Sequence, residues 1–245
     1  MMKRGIATIA VAAMLAGLPA SAAEIRVVKA DSGPFVLVEG DFDSGDGDRF
    51  VQLTASLPRT TTVVFDSPGG NLLAGLTIGQ TIRARGYATL VADGALCASA
   101  CAIAWLGGVK RFLASGGRLG FHAASGSSGV SAPGNAIVGA YMARLGLSQD
   151  AVYALTEASP NEIAWFDAGH VRMLGIAVEN YTGAPFGGRT MLATRSVPTP
   201  PPSPVWTDRG ASPGTPSTGG GTSTGSGGRG APSCPAYVYG GHARC

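Results

Sequence analysis

The sequence predicts an α/β fold, because short apolar runs typical of buried strands alternate with longer segments of helical spacing. Thr61–Asp66 and Ala88–Val91 are such runs, rich in β-branched and apolar residues. Leu72–Arg85, between them, has the apolar spacing of a helix. A strand, a helix and a second strand in this order predict parallel pairing through a right-handed crossover.

The remaining elements follow from the same patterns. Ile25–Lys29 and Phe35–Glu39 predict an antiparallel pair around a turn at Asp31-Ser32-Gly33. Gly45–Asp48 predicts the start of a helix that runs through about Ser56, with Asp48 as the N-cap. The other predicted elements are the helices Ser99–Leu106, Ile137–Leu145, Gln149–Ala158 and Ala168–Leu174, and the strands Arg111–Leu113 and Arg118–Phe121.

Residues 1–22 have the pattern of a cleaved secretion signal. Lys3 and Arg4 precede an apolar stretch from Ile6 to Leu18, which is too short to span a bilayer, and Ala20-Ser21-Ala22 supplies the small side chains that a signal peptidase requires. An uncleaved anchor or a buried N-terminal helix is the alternative. The sequence therefore predicts a periplasmic or secreted bacterial protein, in which the four cysteines meet an oxidising compartment.

The composition changes near residue 186 and predicts one globular domain at 23–186 followed by a disordered tail at 187–245. In the tail, 22 of 59 residues are Gly or Pro. A segment of this composition cannot bury enough apolar surface to offset the entropy lost when it is ordered. With a net charge of +4 the tail could contact anionic envelope polymers, but a solubilising spacer is the favoured interpretation. Cys234 and Cys245 could close a small disulfide loop at its end.

The charge balance argues against several functions. The net charge of +3 falls to +1 once residues 1–22 are removed, so no nucleic-acid partner that needs a phosphate-neutralising surface is expected. The sequence predicts no membrane span after the signal and gives no sign of a cofactor. The acidic segment from Asp41 to Asp48 lacks the glutamate and regular spacing of a calcium loop, which favours a solvated turn and no metal site.

Three segments next to predicted strands carry groups suited to acyl transfer. Ser67-Pro68-Gly69-Gly70 follows the strand Thr61–Asp66, and its glycines leave amides able to point at an anion, although this is also an ordinary turn. Ser99 begins a predicted helix, where its hydroxyl is accessible unless it serves only as an N-cap. His122 ends a strand, a position that is often purely structural. Together they supply a nucleophile, a proton acceptor and an amide cradle.

The ordered set Ser67-Pro-Gly-Gly, Gly94, Ala98-Ser99-Ala100, Lys110-Arg111-Phe112 and His122 resembles the Clp-type serine peptidases of the ClpP/crotonase superfamily. The resemblance is closer to exported proteins with a Cys-x-Ser-x-Cys form and covers about residues 25–182. It implies a spiral of β-β-α units, a peptide or protein substrate and a homo-oligomer. The chain between His122 and Asn161 is, however, shorter than in Clp peptidases, in the segment that stacks their rings.

The resemblance also implies roles for individual residues. Ser99 corresponds to the nucleophile, His122 to the general base, and the amides of Gly70 and Ala100 to the oxyanion hole. Clp peptidases take a third catalytic residue, an aspartate, from the segment before the last helix. No aspartate lies in register here, so Asn161 or Glu162 is expected to orient the imidazole, while Asp167 is expected to cap the helix that follows it.

Cys97 and Cys101 flank Ser99, at a spacing that places their Cα atoms within disulfide range if Cys97 precedes the helix and Cys101 lies in its first turn. Such a bridge would brace the turn that presents the serine. The sequence thus predicts an exported serine hydrolase, most simply a peptidase. The alternative is a non-catalytic envelope protein that keeps the same fold for binding or scaffolding. Crotonase-like chemistry on a thioester is disfavoured, because an exported protein meets little coenzyme A.

Overall fold

The computed structural model describes residues 22–30, 33–127 and 129–183. The predicted signal, except for Ala22, and the whole predicted tail, with the pair Cys234 and Cys245, lie outside the described residues. The strands are β1 Glu24–Ala30, β2 Gly33–Glu39, β3 Thr62–Asp66, β4 Ala88–Val91, β5 Leu96–Ala98, β6 Arg111–Ala114, β7 Arg118–Phe121, β8 Ser125–Gly126, β9 Gly129–Val130, β10 Ala164–Phe166 and β11 Glu179–Tyr181. The helices are α1 Asp46–Leu53, α2 Leu72–Arg85, α3 Ala100–Trp105, α4 Ala132–Arg144, α5 Gln149–Thr156 and α6 Ala168–Met173.

The larger sheet has six strands in the order β1-β2-β3-β4-β6-β11. β1 pairs antiparallel with β2, as predicted, and every other neighbouring pair in this sheet is parallel. The crossovers that parallel pairing requires contain helices, among them α2 between β3 and β4. The prediction of an α/β fold is therefore confirmed.

A second, three-stranded sheet lies beside the first and carries the strands nearest the candidate site. Its order is β10-β7-β5, with β5 parallel to β7 and β10 antiparallel to β7. The chain just after β3 joins this sheet, because Ser67 N–H donates to Leu96 O at 2.8 Å and Ala98 N–H donates to Ser67 O at 3.0 Å. The segment after β3, β5 and β7 therefore lie side by side. β8 and β9 form a separate hairpin.

The core lies between the larger sheet and the helices that cover it. Trp105 and Phe65 are fully buried there, as are Ile78 and Ile82 of α2. α3 is buried along its whole length, since each of its six residues is inaccessible to solvent or nearly so. A helix that is apolar all round belongs in an interior, and this burial fixes α3, and the residue that precedes it, against the sheet. Among the described residues, none of the helices combines the length and apolar character needed to cross a membrane.

The helix boundaries test several predictions. α2 has the predicted bounds, and Asp167 caps α6 as predicted, accepting a hydrogen bond from His170 N–H at 2.8 Å. The N-cap prediction for Asp48 is wrong: α1 begins at Asp46 and Gly45 is its N-cap, so Asp48 lies inside the first turn. The expectation of a solvated acidic turn is also wrong in one position, because Asp46 is only 1% exposed.

Candidate active site

The glycine turn after β3 is pressed against the turn that carries Ser99. Gly69 and Gly70 have φ values of +102° and +124°, which favour glycine. A Cβ at Gly69 would lie 2.6 Å from Ala98 O and 2.8 Å from Ser99 Cβ, and one at Gly70 would lie 2.5 Å from Phe42 O. Side chains at these two positions would separate the segments, so the glycines are what allow the contact.

Ser99 occupies the link between β5 and α3 in a strained conformation, with φ 56° and ψ −125°. It is the one non-glycine residue with positive φ in the described part of the chain. Such a conformation costs about 1–3 kcal/mol and persists only where the surroundings impose it. Here Ser99 N–H donates to Gly120 O at 2.9 Å, and the buried helix α3 follows directly. Nucleophilic serines of hydrolases are found on sharp strand-to-helix turns of this kind.

Ser99 holds an N-cap position without capping. The cap side chains of α2, α4, α5 and α6 each accept a hydrogen bond from their own helix. The Ser99 side chain makes no such bond. The interpretation of Ser99 as only an N-cap is therefore excluded for this conformation, and its hydroxyl is available to the space in front of the turn.

A disulfide joins the two cysteines on either side of Ser99. Cys97 in β5 and Cys101 in α3 are bonded, with Cα atoms 5.2 Å apart, and neither is exposed to solvent. The predicted pairing of Cys97 with Cys101 is thus confirmed. The bridge links the end of strand β5 to the first turn of helix α3. It is compatible with an oxidising compartment.

His122 comes next to Ser99 because their strands are neighbours. β5 and β7 are parallel, with Ala98 opposite Gly120, so the residues that follow the two strands emerge at the same edge of the sheet. His122 is half-buried. Its Nδ1 lies 2.7 Å from Ala123 O. A carbonyl can only accept, so the neutral ring carries its proton on Nδ1 and presents an unprotonated Nε2, the form that a general base requires.

The carbonyl that orients His122 is itself held in place. Ala123 N–H donates to Ala158 O at 2.8 Å, and Ala124 N–H donates to Asn135 Oδ1 at 2.7 Å. The imidazole is therefore oriented by a backbone group on a fixed segment. A backbone carbonyl has no signature in the sequence, which is why sequence reasoning missed it.

Asn161 and Glu162 are the residues that the sequence is expected to place behind His122. Both are exposed, in the turn between α5 and β10, where Glu162 N–H donates to Ser159 O at 3.0 Å. In the described ranges, no hydrogen bond joins either side chain to the imidazole. The function expected of them, orientation of the ring, is served in this structure by Ala123 O.

One pocket, with a volume of about 320 Å³, brings the predicted site residues together. Ser99, His122, Gly70 and Ala100 all line it. Its other lining residues are Asn71, Leu72, Leu73, Ile103, Ala124, Ser125 and Val138. The nucleophile, base and cradle expected from the sequence thus converge on a single concave space, whose wall combines apolar side chains with polar groups.

Two backbone amides at this pocket are without an acceptor. Neither Gly70 N–H nor Ala100 N–H donates a hydrogen bond within the described residues. The two amides come from adjoining segments, since a Cβ on Gly69 would lie 2.9 Å from Ala100 N. Pairs of unpaired amides beside a nucleophile are the donors of an oxyanion hole.

The hydroxyl of Ser99 and the imidazole are not hydrogen-bonded to one another in this conformation. Catalytic hydrogen bonds are commonly long or misaligned without substrate and tighten when it binds. No group of three potential metal-ligating side chains comes together within residues 22–30, 33–127 and 129–183.

Comparison with known proteins does not assign the chain: no protein-family model matches it, and no curated protein matches it significantly.

Proposed function

We propose that the chain is an exported serine hydrolase, acting on peptide bonds, with Ser99 as nucleophile and His122 as general base. The observation that carries the proposal is the strained, uncapped Ser99, which lines the same pocket as His122. Strain that is maintained by a buried helix and a disulfide is typical of functional sites. A serine with only a structural role would gain nothing from this conformation.

In the proposed reaction His122 Nε2 takes the proton from Ser99 Oγ as the oxygen attacks the substrate carbonyl carbon. The imidazolium then gives that proton to the leaving amine while the C–N bond breaks, which leaves the acyl group on Ser99. Water, activated by the same imidazole, hydrolyses this ester and regenerates the serine. Ala123 O keeps the ring in the required tautomer through Nδ1.

The Gly70 and Ala100 amides would stabilise the negative charge that develops on the carbonyl oxygen. Loss of a single oxyanion donor typically costs about 100- to 1,000-fold in rate. Both amides are fixed before substrate arrives, Gly70 by the contact with Phe42 and Ala100 by the buried start of α3. Fixed donors require no reorganisation during the reaction, which is the source of their effect.

The walls of the pocket combine apolar side chains with polar groups. Leu72, Ile103 and Val138 line it together with the catalytic groups, and Ile103 and Val138 are almost fully buried. Pockets of this kind obtain affinity from apolar contact and orientation from a few polar groups.

The proposed fold is the spiral of β-β-α units found in Clp peptidases. Two features support it: a parallel sheet with helical crossovers, and a second small sheet whose strands β5 and β7 end at the candidate nucleophile and base. The disulfide supports the proposal that the protein acts outside the cytoplasm.

Covalent labelling by a fluorophosphonate probe tests the proposed function. An activated serine oxygen attacks the phosphorus of the probe and displaces fluoride. The protein should therefore be labelled on Ser99, and Ser99→Ala should abolish the labelling. Ser125→Ala is the matched control, because Ser125 lines the same pocket on β8 and has no proposed role. His122→Ala should slow labelling by at least about 100-fold. An unlabelled protein, with an active Clp peptidase labelled in parallel, would overturn the proposal.

A non-catalytic binding protein is the second candidate. Ser99 and His122 are not hydrogen-bonded to one another, and no carboxylate of the described residues hydrogen-bonds to the imidazole, which favours this candidate. In that case the pocket and its two amides would bind a carboxylate-bearing ligand without turnover. The probe separates the two functions, since a binding protein leaves it intact.

A further inference from the structure

Asp46 is a buried carboxylate that the proposed reaction does not use. Its side chain is 2% exposed, although aspartate is rarely buried without compensation. It begins α1 but does not cap the helix. Instead, one oxygen accepts hydrogen bonds from Ala23 N–H at 3.0 Å and Asp43 N–H at 2.8 Å, and the other pairs with Arg49 at 2.6 Å. Arg49 also donates to Ala23 O.

Ala23 is the residue that follows the predicted signal, whose small-residue end is Ala20-Ser21-Ala22. The nitrogen that contacts the buried carboxylate is therefore the one that cleavage after Ala22 would release. Hydrolysis of the Ala22–Ala23 bond by a processing peptidase adds water, leaving a carboxylate on Ala22 and an α-amino group on Ala23. An α-amino group has an ordinary pKa of about 8, so it is mostly an ammonium at pH 7.

We propose that Ala23 is the mature amino terminus and that its ammonium group binds the Asp46 carboxylate. The contact then changes from a hydrogen bond between a neutral amide and a carboxylate to an ion pair, in which two opposite charges attract one another. A second positive charge also joins the half-exposed Arg49 in balancing a buried anion. Ala23 is only 1% exposed in the folded chain, so cleavage precedes folding, as it does for a chain processed during export.

The contact leads from the amino terminus to the candidate site. Asp46 holds Asp43 through its amide, and the neighbouring Phe42 is bonded on both sides of the glycine turn: Phe42 N–H donates to Gly69 O at 2.6 Å, and Asn71 N–H donates to Phe42 O at 2.8 Å. Gly70, between these two bonds, packs on the Phe42 backbone. The processed terminus thus fixes the loop that positions the Gly70 amide. This link between the terminus and the candidate site rests on the proposed function.

Two otherwise identical disulfide-bonded chains test the inference: one begins at Ala23, and the other keeps Ser21 and Ala22. The chain that begins at Ala23 should have a Tm higher by about 3 °C. Asp46→Asn should remove this difference. Arg49→Gln is the second variant in case Asp46→Asn does not fold; it leaves the carboxylate with the ammonium as its partner and should enlarge the difference. Mass spectrometry of the exported protein should give Ala23 as its first residue.

Equal Tm values for the two chains would overturn the inference. A Tm difference that Asp46→Asn leaves unchanged or that Arg49→Gln reduces would overturn it as well, and so would a mature protein whose first residue is not Ala23. The Tm comparison does not depend on activity. If Ser99 is never labelled but the Tm difference is present, the proposed function fails and the ammonium contact stands. If the probe labels the two chains at the same rate although their Tm values differ, the link from the amino terminus to Gly70 fails.

Discussion

Gly69→Ala is the substitution that most directly disturbs the contact between the glycine turn and Ser99. The new Cβ would lie 2.6 Å from Ala98 O, 2.8 Å from Ser99 Cβ and 2.9 Å from Ala100 N. All three atoms belong to the turn that carries Ser99, and two are backbone atoms that cannot rotate away. The turn must therefore shift, and with it the Ser99 hydroxyl and the Ala100 amide.

The loss of stability expected for Gly69→Ala has two parts, which a matched control variant separates. An alanine at positive φ costs about 1–2 kcal/mol of folding free energy in any location, and overpacking adds about 1–3 kcal/mol. Gly146, with φ +85°, has no atom within 4 Å of its would-be Cβ, so Gly146→Ala has only the first cost. Urea unfolding should give Gly69→Ala the larger loss of stability, and fluorophosphonate labelling should be slowed at least tenfold in Gly69→Ala only. Equal stability and equal labelling in the two variants would refute this account of the turn.

Two further predictions concern the supports of the site and of α6. Replacing both Cys97 and Cys101 with alanine should lower the free energy of unfolding by about 2 kcal/mol, the entropy of closing so short a loop, and an unchanged urea midpoint would contradict this. Hydrogen bonding by His170 N–H holds the pKa of Asp167 below its usual 3.8. Asp167→Ala should therefore lower the free energy of unfolding by about 1 kcal/mol near pH 7. This loss is fully present above pH 3.8, and it disappears as the pH falls through the lower pKa of Asp167 in the folded state. A cost that persists at pH 2 would argue against a charged cap.

The elements with strong local patterns were predictable from sequence. α2 and β7 have the predicted bounds because Leu72–Arg85 has a helical pattern with Gly86 after it, and Arg118–Phe121 is a compact apolar strand. β10 and β11 were missed, since each has three residues and is defined by its partner strand rather than by its own composition. β5 was missed for the same reason.

The site was predictable in its residue types and less so in its geometry. Ser99, His122, Gly70 and Ala100 line one pocket, as their positions after successive strands predicted. The strain at Ser99 depends on the buried helix and the disulfide around it, so it has no local signal. The group that orients His122 is a carbonyl, whereas sequence reasoning considers only side chains and therefore pointed to Asn161 and Glu162. The burial of Asp46 likewise depends on its contact with Ala23, 23 residues away in the sequence, and on its ion pair with Arg49.

The crystal structure of the protein after reaction with a fluorophosphonate tests the central claim most directly. The account predicts phosphorus bonded to Ser99 Oγ, with the phosphonyl oxygen about 2.7–3.1 Å from both the Gly70 and Ala100 amides and His122 Nε2 facing the adduct. An adduct on another serine, or a phosphonyl oxygen that points away from both amides, would contradict it.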